Sequence, residues 1–409
     1  MHIGVDITAL YVAQAGVFWQ NLNLLRAMLE IDHDNTYTLV DYYPIHGGKT
    51  NQPVVEQLQV PHSTIVRVGG LRHYQLSRWQ PLQRPVLRDV ARYVDTVIER
   101  PLSIVTDAVM HSRLKKVLQD VDVFHASDVL FYAHPGALNV STIHDLTTLL
   151  FPELHTAGNR ALHLQKLRFV QEHADVVITV SECTKRDVVK HLGITPERVY
   201  VVYNGVNPDF HPIEDNAYIT RVLARYGLSP KTYILHVGTL EPRKNLMHLV
   251  QAYRHLLDII PTLALKLVLV GHAGWHFEQL FELVETLQLK DRVIFVGSVP
   301  AEVLPALYNG ASLFVYPSLY EGFGLPPLEA MAVGVPVIAS SASCLPEALG
   351  DAAYYINPYD LADMTKAFVD ISSNKDLRLR LKSQGLKQVS LYSWDTTATL
   401  TWETYKEIL

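Results

Sequence analysis

Short runs of β-branched and other apolar residues alternate with longer segments of helical period along this chain. Such alternation is typical of βαβ units, in which helices join parallel strands. Most of the runs are continuously apolar, which indicates strands buried on both faces. We therefore expect an α/β fold with parallel sheets. The predicted strands are residues 2–7, 37–41, 121–125, 140–143, 176–180 and 199–202, followed by 233–237, 267–270, 293–296, 313–316, 335–339 and 353–356.

The length of the chain predicts two domains. Its 409 residues exceed what one ordinary hydrophobic core holds, and domains of about 200 residues are the default expectation. Residues 204–216 read NGVNPDFHPIEDN, and their turn-forming residues are typical of a linker. We place the boundary near Pro212, so residues 1–212 and 213–392 should form two Rossmann-like, doubly wound domains. Such sheets bind ligands beyond the carboxyl ends of their strands, in a cleft that both domains face.

Composition excludes several classes of protein. A hydrophobic share of 48%, a charged share of 19% and a net charge of −6 indicate a soluble globular protein without a general affinity for nucleic acid. Cys183 and Cys344 have no CxxC spacing, so neither a disulfide framework nor a zinc site is expected. The N-terminus lacks a signal-peptide pattern, and the apolar window 330–342 is too short to span a membrane. We therefore expect a cytoplasmic protein.

The segment YPSLYEGFGLPPLEAMAVGVPVIAS, residues 316–340, has the pattern of an anion-binding strand–loop–helix unit. Gly322 and Gly324 leave backbone N–H groups free to approach an anion, and the helix that should begin at Pro326 or Pro327 points its positive end towards it. Glu321 before the loop and Glu329 inside the helix add two carboxylates. The alternative is a tight turn with two ordinary surface glutamates, but two glutamates around such a loop favour the functional interpretation.

The segment HVGTLEPRKNLMHLVQAY, residues 236–253, places two cations at the start of a second such helix. Gly238 opens the loop, Arg243 and Lys244 precede the helix, and Asn245 is placed to cap it. Cations at a helix N-terminus oppose the helix dipole, and an anion between them reverses that penalty. We predict a diphosphate clamp, with a solvated charge pair as the alternative.

Together these segments resemble the donor site of the large retaining glycosyltransferase family of the GT-B type (glycosyltransferase group 1, family 4), which includes many mannosyl- and glucosyltransferases. The resemblance is strongest over residues 233–358, and it includes VVYNGVNPDF at the predicted linker and YSWDTTATLTWETY near the C-terminus. It implies that a helix at about residues 393–409 returns to the N-terminal, acceptor-binding domain.

The resemblance also implies roles for individual residues. Glu329 should bind the ribose of the nucleotide, and Arg243 and Lys244 should hold the diphosphate and stabilise the departing nucleotide. Glu321 should face the donor sugar. Gly238 should line the diphosphate pocket, and Val299 should contact the nucleobase. The donor sugar and the distal phosphate should be contacted by the backbone of Gly322, Phe323, Gly324 and Leu325.

Two sites in the N-terminal half are predicted less directly. His144 and Asp145 follow the strand at 140–143, and the resemblance places the histidine at the donor sugar near its reacting carbon, with Asp145 in support. The family's glycine-rich first turn reads AQAGVFWQNL here, which keeps Gly16 but adds Phe18 and Trp19. These aromatic residues form either a stacking platform for an acceptor sugar or part of the core. We include Gly16, Phe18 and Asp145 as acceptor-binding candidates.

A basic, aromatic-bearing segment at residues 69–92 suits contact with an anionic membrane or a phosphorylated lipid carrier. A plain solvated helix face is the alternative. The arginines concerned are Arg72, Arg78, Arg84, Arg88 and Arg92.

The sequence and the resemblance together predict a retaining hexosyltransferase of polysaccharide biosynthesis. It should move a mannose- or glucose-type sugar from a nucleoside diphosphate sugar, GDP-mannose first and UDP-sugars next, to a saccharide or lipid-linked acceptor. Arg243, Lys244, the amides of the glycine loop and the helix dipole can stabilise the leaving diphosphate without a metal ion, so we expect no metal and no other cofactor. The alternatives are a sugar-nucleotide epimerase or glycoside phosphorylase of the same architecture, and a catalytically silent nucleotide- or carbohydrate-binding protein.

Overall fold

Two parallel sheets form the framework of the protein, as the apolar runs predict. The computed structural model describes residues 1–11, 16–41, 52–68, 100–127, 130–275 and 277–409. The five arginines of the basic segment, Arg72 to Arg92, lie outside the described residues, as does the membrane contact predicted for them. The first sheet has the strand order β3-β2-β1-β4-β5-β6-β7 and the second β10-β9-β8-β11-β12-β13. Both orders are those of doubly wound sheets, in which the chain starts in the middle and crosses over to each edge.

The strands agree closely with the sequence prediction, apart from β3, which was not predicted. In the first sheet they are β1 His2–Asp6, β2 Thr36–Asp41, β3 Ser63–Arg67, β4 Val123–Ala126, β5 Leu138–Ile143, β6 Val176–Thr179 and β7 Val199–Val201. In the second sheet they are β8 Tyr233–Val237, β9 Lys266–Val270, β10 Val293–Gly297, β11 Leu313–Tyr316, β12 Val337–Ser340 and β13 Ala353–Ile356.

Helices connect most of the strands. No helix among the described residues is both long enough and apolar enough to cross a membrane. The helices are α1 Gly16–Ile31, α2 Gln52–Glu56, α3 Arg100–Val117, α4 Thr147–Leu150, α5 Ala157–His173, α6 Glu182–Leu192, α7 Asn216–Ala224, α8 Leu246–Ile259, α9 Glu278–Thr286, α10 Leu304–Gly310, α11 Leu325–Ala332, α12 Leu345–Leu349, α13 Leu361–Ser373, α14 Lys375–Val389 and α15 Trp394–Ile408.

The chain divides into two compact units, each built from discontinuous segments. The first unit comprises Met1–Thr142, Arg168–Ile178 and Ala398–Leu409, so most of α15 belongs to it. Within that unit, Trp402 at the C-terminal end donates to the Tyr37 hydroxyl on β2 at 2.9 Å. The second unit comprises Ile143–Leu167 and Thr179–Thr397, which includes the whole second sheet.

The second sheet is buried on both faces, which explains its continuously apolar strands. Along β8, Tyr233 and Leu235 point into one hydrophobic cluster, and Ile234 between them points into another. All three side chains are completely buried. Because each buried side chain of this size contributes about 1.5–3 kcal/mol, the sheet is a rigid base for the loops at its carboxyl edge.

Candidate functional site

Four charged side chains form a buried ion cluster where β8 and β11 end. Arg243 Nη1 lies 2.7 Å from Glu321 Oε2, and Lys244 Nζ lies 2.6 Å from Glu321 Oε1. The Arg243 guanidinium also pairs with Glu241 at 2.8 Å. Lys244 donates a further hydrogen bond to the hydroxyl of Tyr316 at 2.8 Å. The loop after β8 thus brings both predicted clamp cations onto a carboxylate 77 or 78 residues further along the chain.

Burial and mutual attraction shift the pKa values within this cluster. Burial alone would raise the pKa of Glu321, but the charges of Arg243 and Lys244 outweigh it and lower the pKa to about 2. Burial and the neighbouring Arg243 charge lower the pKa of Lys244. Burial opposes the charge of Arg243 too, but Glu321 and Glu241 raise its pKa well above its usual value. The carboxylate and the guanidinium are therefore both charged at neutral pH.

The loop between β11 and α11 is a tight glycine turn that leads directly into the helix. Gly324 adopts φ 106°, a left-handed conformation that favours glycine, and α11 begins at the next residue with prolines in its first turn. A Cβ atom on Gly322 would lie 1.9 Å from the carbonyl oxygen of His144, so only glycine allows this approach. Thr184 Oγ1 lies 3.4 Å from the carbonyl oxygens of both residues.

This close approach places His144 and Asp145 beside the glycine loop within the second unit. The hypothetical Cβ of Gly322 lies 3.2 Å from Asp145 Cβ. The Asp145 carboxylate accepts hydrogen bonds from the amide and hydroxyl of Thr147, at 2.9 and 2.6 Å. Burial raises the pKa of Asp145, but the Arg243 charge and the Thr147 bonds lower it below its ordinary value. The Asp145 carboxylate is thus electrostatically coupled to the clamp residue Arg243.

Glu329 lies apart from the ion cluster and has a different partner. The hydroxyl of Tyr308 on α10 donates to Glu329 Oε2 at 2.7 Å. Burial raises the pKa of Glu329 to about 7, against the effect of the Tyr308 hydrogen bond. The residue as a whole remains partly exposed. The two glutamates of the motif therefore have opposite pKa shifts.

The remaining donor-site candidates differ in what they expose. A Cβ atom on Gly238, at φ 157°, would lie 3.4 Å from His236 Nε2 and 3.5 Å from Lys244 Cε. Gly238 therefore borders the buried ion cluster. Val299 is partly buried against the hydrophobic cluster that contains Tyr308. Leu325 is partly buried as well. The ring of Phe323 is buried between Tyr203 and Tyr392, which leaves only its backbone for a ligand.

In the first unit, Gly16 and Phe18 lie in the first turn of α1. Gly16 is exposed, whereas Phe18 is completely buried and meets Trp19 edge to face at 5.0 Å. A stacking platform needs an exposed ring face, which Phe18 does not offer. Of the two alternatives for these aromatic residues, Phe18 follows the core one, and Trp19 is only partly buried.

The structure corrects the capping role that the sequence predicts for the Asn245 side chain. It occupies the N-cap position of α8 with φ 60°, but its side chain makes no capping hydrogen bond. Its amide donates instead to the carbonyl oxygens of Pro317 and Pro358, at 3.2 and 2.7 Å. Asn245 therefore ties the loop after β8 to the loops after β11 and β13.

Sequence reasoning missed several partners that the fold brings to the site. These are Glu241, which shares Arg243 with Glu321, together with Tyr316, Tyr308, His236 and Thr184. His236 is completely buried, stacks on Tyr316 and donates through Nδ1 to the Val315 carbonyl at 3.0 Å. Glu241, His236 and Tyr316 lie within the two motifs, whereas Tyr308 and Thr184 lie outside them.

Two Asp-x-Asp triplets occur in the first half, at residues 32–34 and 120–122. Asp32 accepts hydrogen bonds from Asn35 and Tyr37, and Asp122 accepts one from the His2 amide. These carboxylates have structural partners within the first unit. Among the described residues, no three histidine, cysteine or acidic side chains are grouped as metal ligands.

Comparisons with known proteins identify the family and the fold of the chain. The family models described as "Glycosyl transferases group 1" and "Glycosyltransferase Family 4" match residues 224–388 and 88–210. The O-antigen chain mannosyltransferase B of Escherichia coli is 33% identical over 310 residues, which cover 75% of this chain and 81% of that protein. The serotype-specific mannosyltransferase WbdA of Escherichia coli is 32% identical over 66% of this chain, but the match covers only 33% of that longer protein.

Among solved structures, Anabaena Alr3699/HepE in complex with UDP and glucose matches over 100% of both chains with a TM-score of 0.72 and 16% sequence identity, a likeness of fold. The order of the two family models along the sequence agrees with the two sheets described above. The 33% identity to the O-antigen chain mannosyltransferase B over 75% of this chain shows a shared family as well as a shared fold. The chain therefore belongs to the group 1 glycosyltransferases of family 4, which have the GT-B fold.

Proposed function

We propose that this protein transfers a hexose from a nucleoside diphosphate sugar to an acceptor hydroxyl, with retention of the anomeric configuration. The observation that carries the proposal is the pairing of Arg243 and Lys244 with one buried carboxylate, Glu321. A diphosphate is an anion with several oxygens, and it can take over the hydrogen bonds that Glu321 now accepts. The two cations then neutralise the charge that develops on the leaving nucleotide.

The glycine loop completes this stabilisation. The backbone N–H groups at the start of α11 and its helix dipole favour an anion at the same edge of the sheet. Preorganised donors of this kind reduce the barrier because they need no reorientation as the charge develops, and each is worth about 2.7–4 kcal/mol. Lys244 and Arg243 are preorganised by Tyr316 and Glu241 respectively.

Retention follows if the acceptor attacks from the face that the diphosphate leaves. The bond between the anomeric carbon and the phosphate oxygen breaks, and the acceptor oxygen bonds to that carbon. The acceptor proton moves to the departing phosphate, so no protein nucleophile is required. His144 and Asp145, beside Gly322, are the side chains we assign to the sugar near its anomeric carbon, and Glu329 is assigned to the ribose.

GDP-mannose is our first choice of donor, because the relatives of one third identity are named as mannosyltransferases. UDP-sugars are the second choice, since a protein of the same fold is described with UDP and glucose. The acceptor we propose is a saccharide or a lipid-linked saccharide, as in polysaccharide synthesis. Transfer without a metal ion is part of the proposal, because Arg243 and Lys244 can supply the positive charge.

A thermal-shift series with GDP, UDP and ADP, each with and without a chelator, tests the donor site. We expect one diphosphate to raise the melting temperature and the chelator to leave that rise unchanged. Radiolabelled sugar transfer by Arg243→Gln and Lys244→Gln should fall by about 100- to 1,000-fold, since each removes a charged donor to the leaving group.

Arg254→Gln is the matched control, because Arg254 lies on α8 with an exposed partner, Asp258. Full activity of both clamp variants would refute the proposal. Nucleotide binding without transfer to a broad set of acceptors would favour a silent binding protein, and conversion of the donor without acceptor would favour an epimerase.

A further inference from the structure

Tyr308 is the one described side chain that hydrogen-bonds the Glu329 carboxylate. Its hydroxyl donates to Oε2 at 2.7 Å, and Oε1 has no hydrogen-bond partner among the described residues. The tyrosine is completely buried, with Phe210 edge-on at 5.5 Å and Phe314 at 5.4 Å. These rings fix the tyrosine, so its hydroxyl holds the carboxylate in one orientation.

The position of this pair links it to the nucleotide. Glu329 lies in the second turn of α11, behind the glycine loop, and remains partly exposed. Val299, assigned to the nucleobase, packs against the same hydrophobic cluster as Tyr308. A carboxylate with one oxygen held by Tyr308 has its other oxygen available for a hydroxyl donor.

We propose that Tyr308 is a positioning residue that aims Glu329 at the ribose hydroxyls and sets the pH range in which the enzyme distinguishes ribonucleotides from deoxyribonucleotides. This inference rests on the proposed function, in which Glu329 meets the ribose. Tyr308 itself touches no substrate, and it acts through the orientation and protonation of Glu329.

The pH dependence follows from the two forms of Glu329. As a carboxylate it accepts a charge-assisted hydrogen bond from a ribose hydroxyl, and as a carboxylic acid it offers a weaker neutral one. Burial raises the pKa of Glu329 to about 7, and the Tyr308 hydrogen bond acts against this rise. Loss of that bond therefore raises the pKa further, and the carboxylate form is reached only at higher pH.

Within the part of the chain that the structure describes, burial and Tyr308 are the two causes of the pKa shift of Glu329. Tyr316 on β11 influences Tyr308 electrostatically, and its own pKa is raised well above the usual value by burial, so it stays neutral. The stem of Lys382 on α14 packs against Gly334, two residues beyond the end of α11. Tyr308 is thus the group whose removal should move the titration of Glu329.

The test compares nucleotide binding by calorimetry from pH 6 to pH 9 in wild type and Tyr308→Phe, with GDP and UDP and their 2′- and 3′-deoxy analogues as probes. At pH 8 the wild type should bind the ribonucleotide about 10- to 100-fold more tightly than the better-discriminated deoxy analogue, as one charged hydrogen bond provides. In Tyr308→Phe this ratio should fall at least several-fold near pH 7 and recover as the pH rises. KM for the donor should increase while kcat changes little, because the ribose is remote from the reacting carbon.

Tyr233→Phe is the matched control, since Tyr233 is an equally buried tyrosine of the same cluster whose hydroxyl donates to the Leu307 carbonyl. It should keep both the ratio and its pH midpoint. If Tyr308→Phe does not fold, 3-fluorotyrosine at position 308 strengthens the hydroxyl as a donor and should move the midpoint to lower pH.

An unchanged ratio and midpoint in the Tyr308 variant would overturn the inference while leaving the proposed function intact. A wild-type protein that binds no nucleoside diphosphate would instead refute the proposed function. The two failures are therefore distinguishable in one experiment.

Discussion

Glu321→Gln removes the carboxylate that both clamp cations share and leaves the side-chain shape almost unchanged. In the wild type this carboxylate lies 2.7 Å from Arg243 and 2.6 Å from Lys244, and the three side chains are only 9%, 14% and 7% exposed. The substitution therefore leaves a buried ammonium without its anion, whereas Arg243 still pairs with Glu241. We expect the variant to fold but to be markedly less stable without nucleotide.

The size of the effect follows from burial. Breaking a buried ion pair by removing one partner costs about 3–5 kcal/mol, and the retained Glu241 pair places this case near 3 kcal/mol. In a unit of about 240 residues each kcal/mol lowers the melting temperature by about 2–4 °C, so we expect a decrease of about 6–12 °C. The matched control is Glu285→Gln. Its lysine partner, Lys290, is also 2.6 Å away, but the two side chains are 62% and 66% exposed, so the cost should be about 0.5 kcal/mol or less.

Differential scanning calorimetry at several pH values measures both the loss of unfolding free energy and the decrease in melting temperature. The pKa of Glu321 is about 2 in the folded protein and 4.5 ordinarily, so the ion pair stabilises the wild type above pH 4.5. That contribution is lost as the pH falls towards 2, and the difference between wild type and variant should narrow over this window. Inorganic pyrophosphate should raise the melting temperature of Glu321→Gln more than that of the wild type, because it replaces the missing anion.

Equal melting temperatures of Glu321→Gln and wild type at neutral pH would refute this reasoning. A lower melting temperature that pyrophosphate does not selectively raise would contradict the part that concerns the anion. In that case the cluster would be a structural ion network rather than a diphosphate site.

Three further substitutions test the local structure of the second unit by urea denaturation. Gly322→Ala should lower the free energy of unfolding by at least about 1–3 kcal/mol and reduce sugar transfer, because the new methyl group overlaps the His144 carbonyl. Gly158→Ala is the control, since Gly158 lies in a helix with open space around it, and its effect on stability should be neutral or favourable. Equal effects of the two substitutions would contradict the overlap. Glu347→Gln should cost about 0.5–2 kcal/mol, since its carboxylate accepts from the first two amides of α6, and no loss would show that this cap is dispensable. Asn245→Ala should lower the free energy of unfolding by about 1–3 kcal/mol, because two buried carbonyl groups lose the hydrogen bonds that the amide donates. Unchanged stability would contradict this role of the amide.

Much of the fold could be predicted from local patterns. Strands β8, β11 and β13 have the predicted bounds, because each apolar run is followed directly by a glycine, a proline or an asparagine. Strand β3, Ser63–Arg67, was missed for a physical reason. It lies at the edge of its sheet and only Ser63 is fully buried, so its side chains do not form the continuously apolar run of a central strand.

The site was predictable in its residues but not in their pairing. The motifs indicated that Arg243 and Lys244 need an anion, and the fold supplies one from Glu321, a residue predicted only to face the sugar. Likewise, the motif contains Glu329 but gives no sign that Tyr308 on another helix donates to it. Partners separated by 21 to 78 residues become neighbours through strand order, which no local pattern records.

The contact between Gly322 and the His144 carbonyl also limits how relatives of this enzyme can be recombined. Ile143–Leu167 pack with the second unit although they precede the linker in sequence. A chimaera joined near Pro212 therefore imports a foreign counterpart of this segment and sets it against the native glycine turn, where a shift of a few tenths of an ångström produces overlap. Chimaeras that take Ile143–Leu167 and the glycine turn at Gly322 from the same parent should therefore be active more often than chimaeras that take them from different parents.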